Sequence, residues 1–430
     1  MESKTSVVIT GIGPMCSIGV GKDELWESVK NEKTQLVQEH FFEGKESLGS
    51  FYIHKVKKFD IRDFGLDAEI LEWIKDWKNG TEDMDLMYLA AVSKLALEDS
   101  RLSYEPVNNN IGFVVTHENP GLEDFFNASL SHAYDYLEHN KNAKKSDFIR
   151  QVYERCERKG YDTQSFMYLY FLGKIFSTHG FSLYVNNACA SGLFAIETAS
   201  QLIREKRCSA VIVAGADRQR MIYKHWWLKS LGLYAEDGLI KPYSKNRNGF
   251  VMGEGGAALV LESRENAEKR GAHIYAEYLG GGFNLEGGRV SLPTVEKDYY
   301  LQCIQEALAN ANVAARDIDI ISPHGIGTSI TDLHEARTIS SAFSGPNGYI
   351  VSAFKPYFGH NLGSCALLET SLLLLAMASD YVPRTLNCEP VDPQIKINLA
   401  VKAISKNLKT ALKLSCGFAG YNGAAIFRKP

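Results

Sequence analysis

Three features of the sequence predict an α/β protein built on buried sheets. Short apolar runs recur along the chain, among them Ser6 to Thr10, Ile111 to Val115, Ala210 to Ala214 and Ala257 to Leu261, and they lack the alternation of half-exposed strands. Segments with apolar residues at helical spacing lie between them. At 430 residues, 45% hydrophobic and 23% charged, the chain has an ordinary globular composition and the length for two fused halves.

The first run, Ser6 to Thr10, leads into Gly11-Ile12-Gly13-Pro14-Met15-Cys16. A dinucleotide fingerprint would need Gly or Ala where Cys16 stands, and Pro14 interrupts it, so a glycine-rich turn between strand and helix is expected. Asp23 to Lys30 and Met84 to Leu97 read as helices, the second with a wide apolar face. From Gly121 to Phe181 the chain is mixed in charge and rich in aromatics. Its basic residues, including Arg155 and Arg158, read as a solvated helix face, and Phe166 to Phe171 as core or interface.

A strand over Leu183 to Val185 then stops at Asn186-Asn187-Ala188 and delivers Cys189 into Ala190-Ser191-Gly192, where a helix begins. Leu193, Ile196, Ala199, Leu202 and Ile203 mark its apolar face, and the strand Ala210 to Ala214 follows. Cys189 thus sits on a strand-to-helix elbow, where the helix dipole and free backbone N–H groups favour a thiolate and can hold an oxyanion. A buried structural role is the commoner one for a single cysteine, so the elbow alone does not decide its function.

Ala257 to Leu261 is the next strand, Arg264 to Gly271 a charged connector, and Ile274 to Leu279 opens a second round. There Tyr300 to Asn312 reads as a helix. Ile318 to Ser322 and Tyr349 to Ser352 read as strands leading to His324 and to Lys355 and His360. Ala411 to Leu414 ends at Ser415-Cys416-Gly417-Phe418, and Ala424 to Phe427 returns. Cys189, His324 and His360 each follow an apolar strand beside glycine, and strand carboxyl ends in α/β sheets gather at one edge. Together they form a candidate shared site.

Whole-chain totals narrow the function. Lys+Arg 47 against Asp+Glu 51 gives a net charge of -4, against nucleic-acid binding. Eight cysteines without CxxC spacing suggest neither zinc nor disulfides, and so a reducing cytoplasm. Met1 to Lys4 lacks signal-peptide organisation. Cys365 to Ala378, the most apolar late stretch, contains Glu369 and is too short to span a bilayer.

Ala188-Cys189-Ala190-Ser191-Gly192, Asn248 to Gly255, His324-Gly325-Ile326-Gly327-Thr328 with Asp332 and Glu335, Lys355 with Gly359-His360, and Gly417 to Asn422 resemble, in order, the motifs of elongating β-ketoacyl-[acyl-carrier-protein] synthases. The resemblance runs from Val7 to Phe427. It implies a thiolase-like α-β-α-β-α fold of two similar halves, with residues 1–263 carrying the cysteine and 264–430 both histidines. It implies a dimer, homodimeric or with a second ketosynthase-like subunit, and decarboxylative Claisen condensation through Cys189, His324 and His360. Substrates would ride on the phosphopantetheine of acyl carrier protein, with no cofactor or metal bound by the enzyme itself.

By the same resemblance, backbone N–H groups of Cys189 and Phe418 form the oxyanion hole, Lys355 stands beside the histidines, and Glu335, Asp332 and Glu369 support the region. Two departures stand out. Ile326 replaces a threonine of the His-Gly-Thr turn, leaving Thr328, and Cys416 replaces the first phenylalanine of the gating turn, which implies a differently shaped acyl pocket. Acidic Glu82-Asp83 stands where carrier-docking relatives are basic, so docking is expected to use Lys75, Lys78 or the Gly121 to Phe181 segment. Acyl transfer, decarboxylation alone, or a non-catalytic partner subunit are the alternatives, and the retained Cys189 argues against the last.

Overall fold

Ten strands carry the architecture: β1 (Val7–Cys16), β2 (Ile111–Thr116), β3 (Leu183–Tyr184), β4 (Ala210–Asp217), β5 (Gly255–Ser263), β6 (Ala276–Leu285), β7 (Ile320–Ser322), β8 (Ile350–Val351), β9 (Thr410–Cys416) and β10 (Tyr421–Arg428). The computed structural model describes all residues except 1–4, 44–45, 79, 81, 104–109, 120, 143, 295–296 and 345–347, and no side chain at 43, 123, 124, 155 or 158. Met1 to Lys4 and the side chains of Arg155 and Arg158, read above from sequence, therefore lie outside the described residues.

Hydrogen bonding links the strands in the order β8-β7-β9-β10-β6-β1-β5-β4-β2-β3. Each half has the same plan. β2 runs parallel to β3 and β4, while β4–β5 and β5–β1 are antiparallel; β7 runs parallel to β8 and β9, while β9–β10 and β10–β6 are antiparallel. The halves meet where β1 pairs with β6, Val7 opposite Tyr278 and Ile9 opposite Ala276. The repeat is invisible as residue identity because only the pattern of buried strands recurs.

Side-chain alternation turns these strands into five layers. Along β4, Val211 and Val213 face one apolar core while Ala210, Ile212 and Ala214 face another. The outer core of the first half is closed by the helices Met84–Ser100 and Ser165–Phe176, that of the second half by Tyr299–Ala311 and Ser329–Ala342. Between the sheets lie the helices Ser191–Arg204 and Cys365–Ala378. The latter is buried on every face, all its side chains but the last being covered, Glu369 included, and each buried Leu contributes roughly 1.5–3 kcal/mol.

Several expectations change. β1 continues through Cys16, so Gly11-Ile12-Gly13 is strand and no turn. A Cβ on Gly11 or Gly13 would lie 2.3 Å from Ala96 O or 2.2 Å from Val92 O, so glycine here lets strand and helix backbones touch. Arg264–Lys269 is a short helix, N-capped by Ser263, where a connector was expected. The helix Ile222–Ser230 had no sequence expectation. The Gly121 to Phe181 segment forms the helices Leu122–His139, Lys145–Asp162 and Ser165–Phe176; Tyr168 and Phe171 are buried, Phe166 and Tyr170 exposed.

The expected docking role of Lys78 does not fit. It is buried between Asp83 (2.8 Å) and Asp162 (3.4 Å), and Asp83 itself caps Met84–Ser100, so neither is a surface charge. Among the described residues no helix is long and apolar enough to cross a membrane.

Candidate active site

Cys189 lies between β3 and the helix Ser191–Arg204, whose N-cap is Ala190. Ala188 before it takes the left-handed backbone, φ 49°, which makes the turn sharp. The Ser191 hydroxyl holds this elbow by donating to Ala188 O at 2.6 Å and accepting from the Asn187 N–H at 2.7 Å. From the other half, Ser415 Oγ donates to Cys189 O at 2.9 Å, tying the elbow to β9.

The thiol is not the dipole-stabilised thiolate expected from sequence. Burial pushes it well above the ordinary thiol range, Glu118 and Cys365 add to the rise, and Lys355 and the Phe418 backbone N–H oppose it without prevailing. Desolvation outweighs the helix end. Cys189 is therefore a neutral thiol, and its Sγ lies 3.1 Å from His360 Nε2.

His324 follows β7 in a turn whose Gly325 and Gly327 have φ 50° and 83°, a backbone that suits glycine. Glu335 ties the turn down: its carboxylate accepts from the His324 N–H (2.7 Å), the Gly325 N–H (2.8 Å), Tyr243 Oη (2.7 Å) and Tyr300 Oη (3.0 Å). Asp332 accepts from the N–H groups of Ile326 (3.2 Å), Gly327 (3.0 Å) and Tyr243 (2.8 Å). Both acids are fully buried. The surface ion pair that is the usual role of such residues does not apply.

The His324 and His360 rings meet edge to face, centroids 5.6 Å apart. Burial lowers both imidazoles well below their ordinary range, helped by Lys355 and Lys413. Both are therefore neutral near pH 7. The Lys355 ammonium lies 3.4 Å from His324 Nδ1 and donates to His324 O. An ammonium only donates, so Nδ1 is the acceptor and the ring proton sits on Nε2. His360 Nδ1 has no partner among the described residues, which leaves both tautomers open to that ring.

Glu369 balances the lysines. Lys355 Nζ reaches Oε1 at 2.9 Å and Lys413 Nζ reaches Oε2 at 2.8 Å, all buried. Burial lowers both lysines, but Cys365 and Glu369 more than restore Lys355, which ends above its ordinary value, whereas Lys413 stays below. Lys413 was missed in the sequence. Its signal was a lysine inside Ala411-Leu412-Lys413-Leu414, a run too apolar for an exposed charge.

A cavity of about 240 Å³ opens over this group, lined by Cys189, His324, His360, Ile326, Thr328, Cys416 and Phe418. Thr328 Oγ1 is buried there without a partner among the described residues. The Phe418 ring packs edge-on against Trp227, centroids 5.2 Å apart. All eleven candidate residues fall in one region: eight around the cavity or touching its histidines, and Asp332, Glu335 and Glu369 directly behind. Glu118, Asn119, Lys224 and Trp227 also line the cavity and had no sequence expectation. Among the described residues no group of three or more His, Cys, Asp or Glu is arranged to hold a metal ion.

Residues 4–267 match the profile of the β-ketoacyl synthase N-terminal domain and residues 275–389 that of the C-terminal domain. The chain belongs to the β-ketoacyl synthase family. The chain is 34% identical over 254 residues to 3-oxoacyl-[acyl-carrier-protein] synthase 2 of Mycobacterium tuberculosis, a match covering 56% of the chain and 59% of that relative's length. Over 444 residues it is 24% identical to the synthase of the same name from Vibrio harveyi, covering 99% of each. The ishigamide ketosynthase/chain length factor superposes with a TM-score of 0.83 over 100% of both chains at 22% identity, a likeness of fold. The fold is thus the thiolase-like one, in two similar halves.

Proposed function

We propose that the chain catalyses decarboxylative Claisen condensation between an acyl group held on Cys189 and a malonyl-type thioester, both delivered on the phosphopantetheine of an acyl carrier protein, in polyketide or fatty-acid biosynthesis. The observation that carries this reading is the 3.1 Å approach of His360 Nε2 to Cys189 Sγ, with the His324 ring against His360 and all three on one cavity.

In the first step the Cys189 proton passes to His360 Nε2 as sulfur attacks the acyl thioester. The tetrahedral oxyanion is held by the Cys189 and Phe418 N–H groups. Collapse breaks the carrier C–S bond, and the carrier thiolate takes the proton. A malonyl thioester then enters, with Thr328 and Ile326 along the path of its pantetheine arm and Cys416 beside the acyl group. Its carboxylate C–C bond breaks, CO₂ leaves, and the electron pair becomes an enolate whose oxygen accepts from His324 Nε2–H and, after the His360 proton has moved from Nδ1 to Nε2 by exchange with solvent, from His360 Nε2–H. The enolate carbon attacks acyl-Cys189, and collapse releases the β-ketoacyl product with Cys189 as thiolate, which regains a proton from solvent.

Lys355 fixes the His324 tautomer this step needs, and Glu335, Asp332 and Glu369 hold the turn and the lysine. The cysteine half comprises residues 1–263 and the histidine half 264–430. The chain works in the cytoplasm as a homodimer, supported by β3, which ends the strand path with one edge unpaired among the described strands. No step calls for a bound cofactor.

Incubation with acyl- and malonyl-loaded carrier, followed by the mass of protein and carrier, tests the proposal. Cys189→Ala should lose acyl loading. His324→Ala should load and fail to condense, and His360→Ala, without the base that takes the Cys189 proton, should load more slowly and fail to condense. Transfer to another nucleophile, or CO₂ release without a carbon–carbon bond in the native chain, would overturn it.

A further inference from the structure

The cavity wall opposite in character to an acyl chain is the charged one. Glu118 and Asn119 lie just past the carboxyl end of β2, after His117, and Lys224 projects from the helix Ile222–Ser230. Lys224 is only 7% exposed, yet its ammonium comes within ion-pair or hydrogen-bond distance of no described residue. Glu118, Asp217 and Asp85 act on it only through space, so its N–H donors lack an acceptor, and the cavity is where one fits. Glu118 likewise accepts no side-chain hydrogen bond from a described residue. Its carboxyl is near enough to Cys189 to raise the thiol, and burial raises the carboxyl itself toward its neutral form.

Behind this wall His117 lies 3.4 Å from Asp85 and 3.5 Å from Asp217, which hold it in its charged form; the one negative charge left over acts on Lys224 through space, and neither carboxylate comes within ion-pair distance of its ammonium. A saturated chain would cover both Lys224 and Glu118 with methylenes and satisfy neither. A carboxylate tail would suit Lys224 and repel Glu118. A hydroxyl suits both, because it accepts from the ammonium and donates to the carboxylate, and a carbonyl suits Lys224 and Asn119 Nδ2.

We propose that the acyl group taken up on Cys189 carries a hydroxyl or carbonyl oxygen within its first few carbons, held between Lys224 and Glu118. The short reach follows from the electrostatic contact of Glu118 with Cys189. This rests on the acyl-Cys189 reading above and names its substrate class. Lys224 and Glu118 then act as specificity residues: a site built to hydrogen-bond a substrate oxygen rejects the analogue that lacks it far more strongly than an apolar site does.

The test offers the full chain equal concentrations of the N-acetylcysteamine thioesters of β-hydroxyoctanoic and octanoic acid and follows mass added at Cys189. The native chain should load the hydroxyacyl group at least about ten-fold faster. Lys224→Met should bring that ratio near one by slowing the hydroxyacyl and sparing the saturated thioester, and Glu118→Gln should reduce it. The ratio is internal to each sample, so partial misfolding of a variant does not move it. Equal loading by the native chain, or a preference that survives Lys224→Met, overturns the inference alone. No loading of Cys189 by either thioester overturns the acyl-Cys189 reading together with it.

Discussion

At Cys189 the competition between burial and the helix end decides the chemistry. The elbow and the helix start were legible in sequence because a strand, a small-residue turn and a periodic face stand next to one another. The protonation state was not, because it depends on Glu118, Cys365 and Lys355, which are distant in the chain. A neutral thiol hydrogen-bonded to a neutral imidazole has a testable signature. Alkylation of Cys189 by iodoacetamide should be slow at neutral pH and still climbing above the reference thiol value of 9.0, whereas a plateau near pH 7 would mean a thiolate–imidazolium pair. Both histidines titrate below 6.5, so acyl loading should hold its rate as pH falls through 6.5 and decline only below it.

Lys355 makes a second residue-scale case. The ammonium fixes the proton of His324 on Nε2, so Lys355→Met should leave acyl loading near the native rate. It should slow condensation by about 10²–10³-fold, the effect of losing one oxyanion donor. Equal slowing of both half-reactions, read by single-turnover mass spectrometry, would place Lys355 in holding the fold instead. The roles of Glu335 and Glu369 came from motif resemblance. That Glu335 gathers two tyrosines, and Glu369 a second lysine, is information only the folded chain carries.

Among the elements, the contact of β1 with the helix Met84–Ser100 is the most demanding. Both follow from their apolar patterns, but Gly11 and Gly13 read in sequence as a turn, since sequence spacing cannot tell a flexible glycine from one pressed against a backbone. A Cβ at Gly13 would meet Val92 O at 2.2 Å and Ala96 N at 2.4 Å, atoms that cannot rotate aside. Gly13→Ala should therefore cost roughly 1–3 kcal/mol or more in urea unfolding. Gly271→Ala is the control for strain without crowding, since Gly271 has φ 65° and nothing within 4 Å of its Cβ position. A loss at Gly13 no larger than at Gly271 would contradict the packing account.

For the molecule as a whole, the repeated five-strand plan explains how residues so far apart in sequence converge. Each half sends its chemistry to the carboxyl ends of parallel strands, Cys189 after β3 and His324 after β7, and the β1–β6 join turns those ends toward each other. The strand pattern made the α/β class legible. The order of strands and the charged wall were not, because pairing partners leave no local mark. One polar cluster binds this edge into the global fold: His117, between Asp85 and Asp217, is held up at about 9 because the two carboxylates outweigh the burial that would lower it. Its folded value exceeds its unfolded one, so the pairing contributes fully below pH 6.5 and fades as pH rises through 9. Urea stability should decline over that window, and His117→Gln should abolish the decline while costing roughly 3–5 kcal/mol at pH 6.5.

The central claim is that Cys189, with His360 taking its proton, carries acyl transfer and that carbon–carbon bond formation further needs His324. Single-turnover mass spectrometry of His324→Ala with acyl- and malonyl-loaded carrier addresses it most directly. The account predicts an acylated Cys189 peptide and no β-ketoacyl carrier, with neither species formed by Cys189→Ala. Chain elongation by Cys189→Ala at the native rate would contradict it.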